Sequence, residues 1–179
     1  HWAKDYVNRA ADAGWVNGVG GGLFQPDGTL TRAMFVTMLA GLAGVDEADY
    51  PGSTFSDVSV GQWYAPSVAW AASEGIVSGT GDGRFEPNRN ITRQEMAQIM
   101  AGYLAWKGVD THPTADPSAY NIPDRADIAP WALDSVCFCY EKGLLSGGDH
   151  GFAPLDNATR AQACVVLCGL NDFLRKTEG

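Results

Sequence analysis

Apolar residues recur every three or four positions in three separate segments of the chain, with polar residues between them. This is the spacing of a helix that buries one stripe of its surface. The three stripes are Phe35, Met38, Leu39 and Leu42; Met96, Ile99, Met100, Tyr103 and Leu104; and Ala163, Val166, Leu167 and Leu170. The pattern therefore predicts three amphipathic helices, each packed by one face against the rest of the protein.

A Thr-Arg pair stands at the predicted start of each of these helices. The pairs are Thr31-Arg32, Thr92-Arg93 and Thr159-Arg160. Threonine followed three residues later by Glu or Gln is a capping box, in which each residue bonds the backbone of the other. Glu95 and Gln162 complete this motif, whereas Met34 is expected to remove the reciprocal half of the box in the first copy.

The arginine of each pair has no such local explanation. It falls in the first turn of the predicted helix, where the helix dipole is positive and a cation is mildly unfavourable. Three arginines at the same position indicate a negatively charged ligand, bound by a helix N-terminus together with a guanidinium group. Arg32, Arg93 and Arg160 are therefore candidate binding residues.

The Thr-Arg helices belong to an internal repeat of helix, glycine-rich loop and helix. The matching positions are Trp2, Trp63 and Trp131; Gly14, Gly75 and Gly143; Asn17-Gly18, Ser78-Gly79 and Ser146-Gly147; and Phe24, Phe85 and Phe152. The first helix of each repeat is predicted to run from the tryptophan to the first of these glycines, which ends it. The loop of the third repeat is one residue shorter than that of the second.

The repeats are predicted at residues 1–45, 55–106 and 122–174, joined by surface linkers at 46–54 and 107–121. A single helical hairpin of this size cannot bury its apolar stripe, so the three should pack together as one all-α domain of 179 residues. They can close around a pseudo-threefold axis or stack as a short solenoid. The first repeat lacks the residues that precede the tryptophan in the other two, which indicates that the chain begins inside a larger protein or that its first residues are missing.

Composition narrows the possible functions. The net charge of −9 argues against nucleic acid as a partner, because binding to phosphate needs a basic face. No apolar run approaches the ~20 residues of a membrane-spanning helix. The three histidines are scattered and no nucleophile motif is present, so neither an active site nor a cofactor is expected.

The four cysteines all lie in the third repeat, at Cys137, Cys139, Cys164 and Cys168. Three of them align with alanines of the second repeat. This favours core packing, since cysteine behaves as a small buried hydrophobe. A disulfide between the two helices or a thiolate metal site is the alternative.

These residues together resemble the S-layer homology (SLH) domain family. Its unit reads Phe-x-Asp-Val, an aromatic-containing helix, Gly-hydrophobic-hydrophobic-x-Gly, Phe-x-Pro and Thr-Arg-Ala-Glu. The second repeat matches nearly throughout, with Phe55-Ser56-Asp57-Val58, Gly75-Ile76-Val77-Ser78-Gly79, Phe85-Glu86-Pro87 and Thr92-Arg93-Gln94-Glu95. The other two repeats match from the tryptophan onward, and Ile122-Pro123-Asp124-Arg125 is an imperfect version of the first motif.

The resemblance implies a fold and a function. Members of the family carry three tandem motifs in a pseudo-threefold spindle around a central three-helix bundle. They anchor exported bacterial proteins to the cell envelope by binding, between neighbouring motifs, a secondary cell-wall polysaccharide whose terminal N-acetylmannosamine carries a pyruvate ketal. The chain is accordingly expected outside the cell, at the cell wall or S-layer, as a non-catalytic module without a metal, fused to a larger exported protein.

The resemblance also assigns roles to residues. The arginines would meet the pyruvyl carboxylate, by two parallel hydrogen bonds where geometry permits. The aspartates would accept hydrogen bonds from the sugar, and the Ser-Gly and Asn-Gly pairs would supply backbone donors. The tryptophans would either stack on sugar faces or anchor the helix starts by packing. The expected ligand-binding set is Arg32, Arg93, Arg160, Asp57, Asp124, Trp2, Trp63, Trp131, Ser78, Gly79, Ser146, Gly147, Asn17, Gly18, Glu95 and Gln162.

Departures from the family pattern predict unequal grooves, with the groove of Arg93 the most competent and that of Arg32 the least. Two other functions stay open. In one, the chain is a structural or protein-interaction module whose arginines pair with carboxylates of a neighbouring repeat. In the other, it binds peptidoglycan or a differently modified wall polymer, because an arginine recognises negative charge and not a particular sugar.

Overall fold

The computed structural model describes residues 1–177, which form α-helices joined by turns, short 3-10 helices and isolated β-bridges. The α-helices are α1 (Lys4–Asp12), α2 (Arg32–Ala43), α3 (Ala65–Ser73), α4 (Arg93–Trp106), α5 (Leu133–Glu141) and α6 (Arg160–Thr177). The 3-10 helices are Glu47–Asp49, Pro117–Ala119, Arg125–Asp127 and Pro130–Ala132. The described residues contain no β-strand, and the all-α prediction is confirmed. None of their helices is long and apolar enough to cross a bilayer.

The predicted start and stop residues flank the helices, although α1, α3 and α5 each begin two residues after the tryptophan and end two residues before the glycine. In α2, α4 and α6 the threonine hydroxyl accepts a hydrogen bond from the N–H three residues later. The O–N distances are 3.1 Å at Thr31, 3.4 Å at Thr92 and 3.2 Å at Thr159. The glycines that end the other three helices have the left-handed backbone that glycine adopts without strain. Their φ angles are 75° at Gly14, 72° at Gly75 and 66° at Gly143.

The expectation for Met34 is wrong. The backbone N–H of Thr31 donates to the Met34 sulfur at 3.4 Å, so both halves of the capping box are present at the start of α2. A thioether is a weak acceptor, yet its flexible side chain reaches the position that a glutamate oxygen would occupy. The substitution therefore weakens this bond without removing it.

Contacts within the chain define two compact units, one of residues 1–90 with the chain from Thr159 onward and one of Ile91–Ala158. In the first unit α1 packs against α6, and α2 packs against both α3 and α6. Its large, fully buried side chains include Leu30, Phe35, Leu39, Trp70 and Phe85. An ion pair between Arg9 and Asp172 also joins α1 to α6.

In the second unit α4 packs against α5 and against the 3-10 helix Pro130–Ala132. Its large, fully buried side chains include Ile91, Met96, Met100, Tyr103, Leu104, Phe138 and Phe152. The side-chain oxygen of Gln94 accepts from the Ala129 N–H at 2.9 Å, which fixes the segment before α5 to the start of α4. The spindle around a three-helix bundle stays a prediction, because α4 belongs to a different unit from α2 and α6.

All four cysteines are buried free thiols, as core packing predicts. Burial raises the pKa of Cys139 and of Cys164 to about 12, so both stay protonated. Among residues 1–177 no cluster of three or more His, Cys, Asp or Glu side chains is placed to hold a metal ion.

One carboxylate fastens the linker at 107–121 to α5. Glu141 accepts hydrogen bonds from the Thr114 N–H at 2.9 Å, from the Lys142 ammonium at 2.7 Å and from the Tyr120 hydroxyl. The bonds from Lys142 and Tyr120 lower the pKa of Glu141 to about 2. The charged form of this carboxylate is therefore the one that orders the linker.

We expect Glu141→Gln to make the Thr114 amide hydrogen exchange several-fold faster at neutral pH, because an amide accepts weaker hydrogen bonds than a carboxylate. The pKa is depressed in the fold, so the contribution is present above the ordinary glutamate pKa of about 4.3 and is lost as the pH falls towards about 2. Hydrogen exchange followed by NMR across this range measures the effect, with Glu47→Gln as an exposed control. Equal exchange rates at neutral pH would contradict the role of Glu141.

Candidate functional site

The three candidate arginines are buried at the first residue of α2, α4 and α6. The Nε of each donates to the backbone carbonyl of a phenylalanine in the loop of another repeat, and the guanidinium lies over that phenyl ring. The pairs, with the Nε–O distance and the distance to the ring centroid, are Arg32–Phe85 (2.9 and 4.8 Å), Arg93–Phe152 (2.8 and 5.0 Å) and Arg160–Phe24 (3.0 and 4.5 Å). Each arginine thus fastens a helix to a loop.

Arg93 and Arg160 each make a second bond to their loop. The Nη2 of Arg93 is 2.6 Å from the Ser146 carbonyl oxygen, and that of Arg160 is 2.6 Å from the Asn17 carbonyl oxygen. The acceptors are carbonyls, not the carboxylates that a scaffold of ion pairs would use. Burial lowers the pKa of Arg93 and of Arg160, but a guanidinium stays protonated in proteins.

The prediction of an open anion site at the helix N-termini is wrong. The backbone N–H of Arg93 donates to the Asp156 carbonyl, and that of Gln94 donates to the Pro154 carbonyl, both at 3.0 Å. The first two N–H groups of α2 and α6 are bonded to loop carbonyls in the same way. The backbone donors that would hold an anion are therefore already used by the fold.

The two candidate aspartates hold the turn that follows each glycine-rich loop. Each carboxylate accepts two backbone N–H groups, from Phe85 and Glu86 at Asp57 (both 2.8 Å) and from Phe152 and Ala153 at Asp124 (both 2.7 Å). The second residue of each turn is left-handed, with φ of 57° and 55°. Burial alone raises the pKa of Asp57, but the two N–H bonds and the charge of Arg84 outweigh it, and the net shift is downward.

The candidate tryptophans are more than half exposed, at 66% for Trp2, 56% for Trp63 and 51% for Trp131. Each precedes the first helix of its repeat by two residues. Part of each ring faces solvent. Each ring is also partly covered, and that of Trp63 packs edge-on against the buried Tyr64 at 5.1 Å. Stacking on sugar faces and packing at the helix starts therefore both stay predictions.

The polar-glycine pairs lie where the two ends of each loop come close together. A Cβ on Gly18 would come within 2.7 Å of the Leu23 carbonyl oxygen, and a side chain on Gly147 would overlap the backbone of Gly151. The small residue is needed because the chain passes close to itself. The preceding residues, Asn17, Ser78 and Ser146, are exposed.

The last two candidates, Glu95 and Gln162, act at the helix starts. The Gln162 side-chain oxygen accepts from the Thr159 N–H at 3.2 Å, which completes the predicted capping box. Glu95 is buried in the first turn of α4, and its N–H bonds the Thr92 hydroxyl. Both residues set the geometry of the segment that carries the arginine.

A surface cavity of about 360 Å³ opens beside the loop of the third repeat. Ile122 and Phe152 form its buried floor, and Tyr140 forms a wall. Exposed Asn121, Ser146 and Gly147 lie at its rim. The sequence predicted only Ser146 and Gly147 here. Two features of the sequence point to the other lining residues. Ile122 replaces an aromatic residue of the second repeat, and the loop of the third repeat lacks one residue.

The cavity gathers several candidates into one place. Ser146 and Gly147 line it, Arg93 bonds the Ser146 carbonyl, and Asp124 bonds the backbone N–H of the lining residue Phe152. Trp131, although in the same unit, is not part of the lining. The arrangement is a mixed polar and apolar depression with one buried cation beside its rim.

Fold and site together define a module of tandem helix-loop-helix repeats in which an arginine of one repeat is bonded to the loop of another. The family model of the S-layer homology domain matches residues 1–34, 54–97 and 121–164. This chain belongs to the S-layer homology domain family, and the three tandem motifs seen in the sequence are confirmed.

The chain is similar to segments of much longer proteins. It is 34% identical over 171 residues to an amylopullulanase of Thermoanaerobacterium thermosulfurigenes, covering 95% of this chain and 9% of that protein. The exoglucanase XynX of Acetivibrio thermocellus is also 34% identical, with 95% and 15% covered. The S-layer protein sap of Bacillus anthracis is 32% identical, with 93% and 20% covered. The chain thus spans between 9% and 20% of these relatives.

The family and its S-layer members indicate a cell-surface, S-layer or cell-wall location. They support a role in anchoring surface proteins to the cell wall. The domain itself is not catalytic, and the relatives named as enzymes extend far beyond the matched region.

Proposed function

We propose that this chain binds an anionic, pyruvylated secondary cell-wall polysaccharide and so tethers a larger exported protein to the envelope. The observation that supports the proposal is the position of Arg93. Its buried guanidinium is hydrogen-bonded to carbonyls and not to a carboxylate, and one of those carbonyls, of Ser146, lines the 360 Å³ cavity. A cation held in this way attracts an acidic sugar.

The donors of Arg93 divide between protein and ligand. An arginine side chain carries five N–H donors in a planar fork. Nε and Nη2 donate to the Phe152 and Ser146 carbonyls, which fixes the plane of the fork. The proposal assigns one Nη1 donor and the remaining Nη2 donor of Arg93 to the two oxygens of the pyruvyl carboxylate. Arg32 and Arg160 are the corresponding arginines of the other repeats.

The remaining candidates support the ligand in two ways. Exposed Trp2, Trp63 and Trp131 offer ring faces to the polysaccharide, and the Ser-Gly and Asn-Gly pairs offer their exposed backbone. Asp57 and Asp124 act by holding the loop turn, since both oxygens of each are bonded to backbone N–H groups. Glu95 and Gln162 act by shaping the helix start.

We expect Arg93→Lys to weaken binding of a pyruvylated disaccharide at least tenfold, because lysine keeps the charge but cannot form two parallel hydrogen bonds with a carboxylate. Isothermal titration calorimetry measures the loss. Arg84→Lys is the matched control, since Arg84 is an exposed arginine of the preceding loop and should bind as the unaltered protein does. Thermal unfolding of each variant shows that it is folded at the temperature of titration.

The outcomes separate this function from its alternatives. No heat from the folded, unaltered chain would contradict the proposal. Binding to peptidoglycan stripped of its secondary polymer, together with no heat from the pyruvylated disaccharide, would favour the peptidoglycan function. A purely structural module would bind neither, and the bonds of the arginines to loop carbonyls are the observation that favours it.

A further inference from the structure

The second and third repeats differ at one buried position beside the loop. In the second repeat the ring of Phe55 lies 5.5 Å from that of Phe85, and its edge is 2.7 Å from where a Cβ on Gly79 would stand. The corresponding residue of the third repeat is Ile122, which lines the cavity. An aromatic ring therefore occupies in the second repeat the place that is partly empty in the third.

The shorter loop of the third repeat also leaves the cavity open to solvent. In the second repeat Thr80 stands between Gly79 and the bridged pair Gly81 and Arg84. In the third repeat Gly147 is followed directly by Gly148, which forms the matching bridge with Gly151. The third repeat thus has no counterpart of the Thr80 side chain at the rim, and glycine stands in place of Arg84.

The surroundings of position 151 require glycine. Its φ is 124°, and a Cβ there would overlap the Asp124 carboxylate. That carboxylate holds the Phe152 and Ala153 N–H groups, so the turn, the glycine and the cavity floor form one arrangement. No side chain can grow from this position into the cavity without displacing the aspartate.

The chemistry of the lining fits a neutral sugar. The residues that line the cavity include no Asp, Glu, Lys, Arg or His. Ile122, Phe152 and the Tyr140 ring supply apolar surface, while Asn121 and Ser146 supply polar groups at the rim. The Tyr140 hydroxyl donates to the Asn121 carbonyl at 3.0 Å, which fixes that wall. A sugar ring likewise has apolar C–H faces and a polar edge.

We propose that this cavity is a subsite of the third repeat that takes one neutral sugar residue of the wall polysaccharide, next to the charged position at Arg93. The inference rests on the proposed function. It assigns a neutral sugar to the residues that line the cavity, whereas the pyruvyl carboxylate is assigned to Arg93. At about 360 Å³ the cavity is near the lower end of ligand pockets, roughly 300–1,000 Å³, so it holds a single residue and not an oligosaccharide.

The first test uses the unaltered chain and two probes, the pyruvylated disaccharide and the same disaccharide without pyruvate. NMR titration with the neutral probe should shift the amide signals of Gly147 and Gly148 while leaving those of Gly79 and Gly81 unchanged. Shifts of both loops to the same extent, or of neither while the pyruvylated probe binds, would overturn the subsite.

The second test fills the cavity. Ile122→Phe restores the residue of the second repeat and should weaken both probes at least tenfold, whereas Ile122→Val keeps the cavity open and should bind as the unaltered chain does. If Ile122→Phe fails to fold, a threonine inserted between Gly147 and Gly148 restores the longer loop and should have the same effect. A folded, filled variant with unchanged affinity for both probes refutes the subsite alone. Failure of the unaltered chain to bind either probe refutes the proposed function.

Discussion

Replacement of Arg160 by alanine is expected to lower the free energy of unfolding by about 3 kcal/mol. The variant loses hydrogen bonds from a charged donor to the Phe24 and Asn17 carbonyls, each worth about 1.5 kcal/mol, and the contact of the guanidinium with the Phe24 ring. For a domain of this size the midpoint of thermal unfolding should fall by roughly 10 °C. Unfolding in urea and by heat, followed by circular dichroism, measures both quantities.

Two further variants show whether the bonds or the charge matter. Arg160→Lys keeps the charge but cannot reach both carbonyls with a rigid fork, so it should lose most of the same stability. Arg84→Ala removes a largely exposed arginine, whose side chain is 57% accessible, and should change stability by less than about 0.5 kcal/mol. If Arg160→Ala is as stable as the unaltered chain, the arginines serve a ligand and contribute nothing to the fold.

The second large effect is expected at Asp57. Asp57→Asn should cost about 3 kcal/mol at neutral pH, because the carboxylate accepts two charge-assisted bonds from Phe85 and Glu86 and an amide has only one oxygen. The amide NH2 would also face a backbone donor. Urea unfolding of the variant beside Asp82→Asn, an exposed aspartate in the same loop region, measures the difference.

The cost at Asp57 should depend on pH in a defined direction. The pKa of this carboxyl is lower in the fold than in the unfolded chain, so its stabilising contribution is present above the ordinary aspartate pKa of about 3.9 and is lost as the pH falls below it. The stability gap between the unaltered chain and Asp57→Asn should therefore narrow in acid. A gap that stays constant from neutral to strongly acidic pH would show that the carboxylate charge is irrelevant to the turn.

Local sequence patterns were sufficient for the helices. Thr31, Thr92 and Thr159 cap the helices they were expected to cap, because capping depends on residues within one turn. The same holds for the glycines that end the first helices. The sulfur of Met34 was misjudged because a capping box is defined by oxygen acceptors, while the geometry also admits a flexible thioether.

The partners of the arginines could not be predicted from local patterns. Arg160 bonds a carbonyl 136 positions earlier in the chain, and Arg93 bonds one 59 positions later. Periodicity describes which face of a helix is apolar and contains no information on such distant pairs. The repeated arginine predicts an anionic ligand, and this stays a prediction. The partner that the structure shows is the backbone of another repeat.

Only part of the cavity lining could be predicted, because the comparison of the repeats depends on the residues that they share. Ser146 and Gly147 could be predicted because a polar residue followed by glycine recurs in every repeat, whereas Ile122 and Tyr140 differ from the residues of the other repeats. An alignment of repeats emphasises what is shared and treats departures as weakened copies. In this chain the smaller side chain of Ile122 and the missing loop residue leave a cavity, and a small-molecule site requires a cavity.

The buried thiols have a consequence for the lifetime of the protein outside the cell. The surroundings of a bacterial surface are oxidising, and free cysteines there are exposed to sulfenic acid formation and unwanted disulfides. Burial and a raised pKa keep Cys139 and Cys164 as unreactive thiols while the helices stay closed. The chemical durability of the anchor is therefore tied to its conformational stability, since local unfolding would expose these thiols to oxidation.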